Sequence, residues 1–315
     1  MKKLFKNIII FILPFLIGII VLFNIPVNKK FSYNFVKGEC DNKASWIYNR
    51  IFEDKKQIDI AFTGASQTSC AIMDEYIEKE LINRSGKNIE IANLGYCRRG
   101  RDIQYVMLKE LFKYKKPSIL VIEVAEDEPK KSHPVFPYLA ESTDLWGSFV
   151  FFNQRFLSNI RKGIVIRFEQ LKSGVFKNDY PAIVDNSEFG YLTSTQFATS
   201  SDLTQNKLDW QTRNSMSKPA FIRDIELKYS KHYIKEIIQL AQRNECRILF
   251  LYLPEYGSGM TTPLLKEYYM EFGELIVLPD SIISNHLNWK DATHFNDSGA
   301  KKATNIVIQE LAVKF

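Results

Sequence analysis

Several common signatures are missing from this chain of 315 residues. It has neither a Gly-x-Gly-x-x-Gly nor a P-loop, so the usual backbone cradles for a dinucleotide or a nucleoside triphosphate are absent. The four cysteines, Cys40, Cys70, Cys97 and Cys246, include no Cys-x-x-Cys pair, which argues against a structural zinc site. No metal and no other cofactor is expected. Lysine and arginine form no run interleaved with aromatics, and the net charge of +6 is mild and scattered. That excludes a groove that tracks a nucleic-acid backbone. There is no internal repeat and no low-complexity segment, and histidine is scarce, with four in all.

What is present is an ordinary globular balance, 45% hydrophobic and 25% charged, in a chain long enough for one large domain or two modest ones. Residues 8–23 are almost wholly apolar and uncharged. With Asn7 and residues 24–27 they are about long enough to cross a bilayer as a helix, in which Pro14 is tolerable. Lys2, Lys3 and Lys6 favour a cytoplasmic amino terminus, although Lys29 and Lys30 weaken that signal. No small-x-small site follows, so an uncleaved anchor is favoured over a signal peptide, with the rest of the chain outside the cytoplasmic membrane. An even cysteine count there permits disulfides. Cys70 and Cys97 both follow predicted strand ends and are candidates to pair; buried free thiols are the other reading.

The chain divides into a cytoplasmic stub and anchor (1–28), a juxtamembrane connector with a short helix near 44–52 (29–56), and a domain over 57–315. Short apolar strands are predicted at 58–63, 88–94, 118–124, 247–253 and 275–278, and helices at 67–83, 101–114, 225–244, 263–272 and 297–312. Strands alternating with helices predict a parallel sheet covered on both faces, an α/β three-layer sandwich. The alternation breaks over about 129–224, which is rich in aromatics and carries one helical stretch at 160–171. This reads as a long insertion, either packed on the core by its aromatics or forming a lid or substrate groove.

Two constellations carry chemistry. The first is Asp59-Ile60-Ala61-Phe62-Thr63-Gly64-Ala65-Ser66, a buried strand that turns sharply into a helix. Ser66 then sits where a strand's carboxyl end meets a helix's amino end, the place where open α/β sheets put their ligands. It is either the N-cap of that helix or a nucleophile beside backbone donors. The second is Asp291-Ala292-Thr293-His294, on a turn before the last helix. A carboxylate three residues from an imidazole can hold one tautomer and stabilise its protonated form. Asn296 or Asp297 supplies the N-cap, which leaves Asp291 free for that role.

Gly64-Ala65-Ser66 after the first strand, Gly95 after the second and Asp291-x-x-His294 before the last helix together resemble the SGNH, or GDSL-like, hydrolases. The resemblance implies a flavodoxin-like fold with a parallel sheet and acyl transfer on esters. It implies Ser66 as nucleophile, His294 as general base and then acid, Asp291 as its orienting carboxylate, and the N–H groups of Ser66 and Gly95 as an oxyanion hole. One block departs: where the family has Gly-x-Asn-Asp, this chain has Val124-Ala125-Glu126-Asp127, without the asparagine. Losing one oxyanion donor costs about a hundred- to a thousandfold in rate. Gln67, Asn93, Glu126 and Asp127 are candidate substrate contacts.

Membrane-anchored members of that superfamily include polysaccharide O-acetyltransferases and the accessory protein of teichoic-acid D-alanylation. The expectation is therefore an extracytoplasmic serine-dependent acyltransferase, moving an acetyl group to a surface polysaccharide or glycan. An integral membrane acyltransferase would supply the acyl donor, the membrane is met through the N-terminal helix, and nucleic acid is not a partner. A carbohydrate esterase or deacetylase with the same triad, a lipase-like esterase, and a catalytically inactive envelope scaffold or glycan-binding subunit are the alternatives.

Overall fold

The computed structural model describes residues 2–38, 43–149, 153–176, 189–215 and 218–314. Five parallel strands form one sheet: β1 (Ile60–Thr63), β2 (Ile91–Asn93), β3 (Ile119–Val124), β4 (Arg247–Tyr252) and β5 (Glu274–Val277), in the order β2-β1-β3-β4-β5. Ile60 is in register with Ile91 on one side and Ile119 on the other, and Ile122 with Phe250. β1, β2 and β3 are buried at every position. That is why they read as continuous apolar runs rather than alternating ones. The order reverses between β1 and β3, which opens a crevice at their carboxyl ends.

Helices cover both faces. On one, Arg101–Tyr114 and Lys228–Arg243 bring Ile103, Val106, Leu111, Tyr233 and Ile237 against Leu120, Ile122 and Phe250. On the other, Asp74–Ser85 and Asp297–Ala312 bring Ile77, Leu81, Ala303, Val307 and Leu311 against Phe62, Val121 and Leu249. The α/β class with a parallel sheet is as read from the sequence, and the layering is consistent with a three-layer sandwich.

Several boundaries differ from the sequence reading. The helix expected at 67–83 is two, Ser66–Ala71 and Asp74–Ser85. Tertiary hydrogen bonds take groups that a continuous helix would use: Asn93 Nδ2 donates to Ile72 O, Met73 N–H donates to Thr304 Oγ1, and Ser69 O accepts Leu192 N–H. The stretch 29–56, read as a connector, contributes Tyr33, Trp46, Ile47 and Ile51 to the buried core. Within the insertion, the helix at 160–171 extends to Phe156–Phe176, and a further helix spans Ser200–Ser215.

The N-terminal helix spans Lys2–Asn24 and is exposed from Ile10 through Gly18, with Phe11 85% exposed. A single spanning helix, as expected from residues 8–23, is not supported. Among the described residues no single helix is long and apolar enough to cross a membrane, and Ile10–Asn24 reaches that length only together with Lys29–Phe35, at a bend of 93°. The uninterrupted apolar run falls short of the roughly 20 residues that a bilayer core requires.

The last helix lies close to the loop before it because residue 299 is glycine. A Cβ there would stand 2.2 Å from the carbonyl oxygen of Asn288 and 2.8 Å from the Phe295 ring. Gly299→Ala is expected to cost about 1–3 kcal/mol, as overpacking does. Gly147→Ala, where a Cβ meets nothing within 4 Å, is expected to be neutral or slightly stabilising. Urea denaturation of the two variants checks the difference.

Candidate active site

Strand β1 ends at Thr63, and Gly64 and Ala65 turn the chain into the helix Ser66–Ala71. Gly64 is needed for space, because a Cβ would stand 2.4 Å from Glu123 Oε2. Glu123 rises from β3 beneath this turn. Its carboxylate accepts the N–H of Ala65 at 2.8 Å, the N–H of Thr68 at 3.0 Å and the Thr68 hydroxyl. It thereby does for this helix what an N-cap side chain ordinarily does. Ser66 is not the N-cap; that residue is Ala65, with no side-chain cap of its own. The Ser66 hydroxyl is left for another partner.

That partner is His294. Ser66 Oγ lies 2.7 Å from His294 Nε2, across 228 residues of sequence. His294 Nδ1 lies 2.8 Å and 2.9 Å from the two oxygens of Asp291. The carboxylate fixes the tautomer: Nδ1–H donates to Asp291, and Nε2 accepts from the serine. The turn that carries both is closed on itself. Asp291 Oδ1 accepts the N–H groups of Thr293 and His294 and the Thr293 hydroxyl. Lys290 N–H donates to His294 O, and Trp289 bridges Phe295 with ring centroids 4.4 Å apart. Partial burial works to raise the Asp291 carboxyl. The hydrogen bond and charge of His294, with the Thr293 donors, outweigh it and hold the carboxyl well below the usual range. Asp291 is 44% exposed and His294 23%, so the imidazole is open to a substrate.

Asn296 is the N-cap of the last helix, its side chain accepting from Gly299 N–H at 3.1 Å. Asp297 is taken up elsewhere, by the hydroxyls of Tyr191 and Thr193 and the N–H of Ser194. The insertion thus grips the histidine loop. It grips the serine side too: Leu192 N–H donates to Ser69 O, and Gly190 and Tyr191 N–H groups donate to Asp74.

The other sequence candidates are placed as follows. Gly95 N–H donates to Asn93 Oδ1 at 3.0 Å, and a Cβ on Gly95 would stand 2.7 Å from Ser69 N, so this glycine packs against the serine helix. Asn93 is fully buried and brackets the break between the two helices after β1. Gln67 is buried and donates to Leu253 O at the end of β4. Glu126 is buried and accepts the N–H of Glu255; burial pushes its carboxyl up, against the pull of Arg99. Asp127 is half-buried: its Oδ2 pairs with Lys130 at 3.1 Å, and its Oδ1 is buried with no hydrogen-bond partner among the described residues.

Sequence reasoning missed Glu123 and Arg99. Glu123 sits inside an apolar strand, and an acid in a strand buried on both faces was itself a signal of special use. Arg99 lies in the loop after β2 and reaches Gln67 Oε1 with Nη2 at 2.6 Å and Nε at 3.2 Å. Cys70 and Cys97 do not pair: Cys70 and Cys246 are buried thiols outside any disulfide, whereas Cys97 is disulfide-bonded. Cys40 lies outside the described residues. No cluster of metal-ligating side chains occurs among the described residues.

The loop bearing Cys97 is held from below by His133, whose Nε2 meets Cys97 O at 2.9 Å while Nδ1 accepts Val135 N–H at 3.1 Å. Burial depresses this imidazole to about 4, helped by the charges of Arg98 and Arg155 and opposed by the Cys97 bond. Between pH about 6.5 and about 4 the unfolded chain binds a proton here that the folded chain refuses. Stability therefore falls as pH drops through that window, and this contribution is fully present above it. Melting temperatures of wild type and His133→Gln across that range are expected to converge towards acid pH, as the variant lacks this slope. No family model and no curated protein matches this sequence.

Proposed function

We propose that this chain is an extracytoplasmic serine acyltransferase of the SGNH-like type that modifies a surface glycan. The observation that carries the reading is the continuous relay Asp291–His294–Ser66, assembled from the two ends of the sheet domain. Such a relay lets a hydroxyl lose its proton as it attacks. His294 Nε2 takes the Ser66 proton while Oγ forms a bond to the acyl carbon. The tetrahedral adduct collapses, the bond to the donor's leaving oxygen breaks, and His294 returns the proton to that oxygen. An acceptor hydroxyl then gives its proton to Nε2 and attacks the acyl-serine, and Oγ leaves with the proton. Asp291 stays ionised throughout and stabilises the imidazolium.

Water in place of the acceptor gives the esterase reaction with the same parts. Transfer is preferred because the exposed apolar N-terminal helix suits a protein tethered at a membrane, beside an envelope polymer and a membrane-borne acyl donor. The Cys97 disulfide fits an oxidising compartment outside the cytosol. A scaffold without catalysis is the second reading. It is favoured by the missing asparagine and by the engagement of Gly95 N–H with Asn93.

The full chain in detergent, treated with an aryl acetate and with a serine-directed phosphonate, separates the two. The expected result is phosphonate labelling that vanishes in Ser66→Ala and slows by about 10²–10⁴-fold in His294→Ala, as for loss of a general base. No labelling of a folded wild type favours the scaffold.

A further inference from the structure

The backbone of this site has few donors left for an oxyanion. The N–H groups of Ala65 and Thr68 serve Glu123, that of Ser69 reaches Ala65 O, and that of Gly95 serves Asn93. Ser66 opens its helix, so its own N–H has no acceptor within the helix. The positive end of that short helix already faces the Glu123 carboxylate. In place of a side-chain donor after β3, the chain offers Glu126, an acceptor.

Arg99 comes from the opposite loop and meets Glu126 and the side chain of Gln67. Its guanidinium donates to the side-chain amide oxygen Oε1 of Gln67, on the residue next to the nucleophile, through Nε and Nη2. The same Nη2 stands 3.4 Å from Glu126 Oε2 and 3.3 Å from Glu255 Oε1. Three acceptors, from the ends of β1, β3 and β4, therefore fix one edge of the group. Nη1 has no hydrogen-bond partner among the described residues, and the side chain is 27% exposed.

The loop is built to hold this pose. Arg98 has φ +57°, a left-handed conformation that costs a residue with a Cβ energy and persists only where surroundings impose it. Around it, Cys97 is disulfide-bonded and its carbonyl meets His133, Tyr96 N–H donates to Gly64 O, and a Cβ on Gly100 would stand 2.6 Å from His133 Cβ. The reversal at Arg98 turns the next side chain inward.

We propose that Arg99 is a catalytic residue that completes the oxyanion site, its Nη1 donating to the developing oxyanion beside the Ser66 N–H. This rests on the acyl-transfer reading above. A charge-assisted donor is shorter and stronger than a neutral amide. Glu126 and Glu255 orient the guanidinium on one edge and leave the other for the substrate.

The test compares wild type, Arg99→Lys, Arg99→Gln and Arg99→Ala as full chains, with circular dichroism and melting temperature to verify folding. Arg99→Ala is expected to label with phosphonate about 100- to 1000-fold more slowly, as for loss of one oxyanion donor. Its kcat on an aryl acetate should fall in parallel, with KM within about threefold, the pattern of an interaction made only in the transition state. Millimolar guanidinium should restore part of the Arg99→Ala rate and none of Ser66→Ala. Arg99→Lys should retain more activity than Arg99→Gln. Labelling of folded Arg99→Gln at the wild-type rate overturns the proposal, as does a loss in Arg99→Ala that guanidinium leaves unchanged. Should Arg99→Ala fail to fold, the Arg99→Lys and Arg99→Gln comparison decides alone, and equal rates overturn it. A wild type that never labels overturns the acyl-transfer reading itself, and the role of Arg99 with it; a wild type that labels while the variants match it overturns only Arg99.

Discussion

A buried carboxylate on the neighbouring strand sets the terms for the whole site. Glu123 reaches across from β3 and satisfies the first turn of the Ser66 helix, in the space that Gly64 leaves by having no side chain. Two consequences follow from that single contact. The serine hydroxyl is released from capping and can face the imidazole. The helix start is also less inviting to a second negative charge, because its donors already serve one. The chemistry that the hydroxyl makes possible therefore needs positive character from another part of the chain, and the loop after β2 brings an arginine to the same crevice.

The insertion ties the parts together. Its segment from Gly190 to Trp210 touches the helix pair after β1 through Asp74 and Ser69, and the last helix through Asp297. It reaches the end of β4 as well, where Trp210 Nε1 donates to Glu255 and Asn206 donates to Tyr256 O. Ala198 N–H donates to Trp289 O, beside the turn that carries Asp291 and His294. The serine and histidine come from segments that do not follow one another in the chain. A strap that hydrogen-bonds to both adds rigidity to a separation that the proposed acyl transfer would have to hold within a few tenths of an ångström.

Much of the core was readable because parallel strands buried on both faces leave an unmistakable apolar run. The strands at 118–124 and 247–253 appear within one residue of the expected ends, and Arg101–Tyr114 and Asp297–Ala312 at the expected positions. The pair Asp291 and His294 was readable for a different reason: three residues on a tight turn have few ways to avoid one another. Glu123 escaped notice because its neighbours were apolar and its partner lay 58 residues away. Arg99 escaped because an arginine among two others, Arg98 and Arg101, carries no local mark of direction; only the left-handed turn at Arg98 distinguishes it.

By itself the sequence determined the alternation of strands and helices, the parallel sheet and the local geometry of the Asp291 turn, since each follows from apolar periodicity within single elements, their order, or close spacing on one turn. The tertiary structure decided which hydroxyl meets the imidazole, that the cap beneath it is a carboxylate from another strand, and that Cys97 rather than Cys70 is oxidised. The serine–histidine and carboxylate contacts join residues 228 and 58 apart along the chain. No periodicity in the sequence encodes them, because they exist only once the sheet has brought its strand ends to one edge.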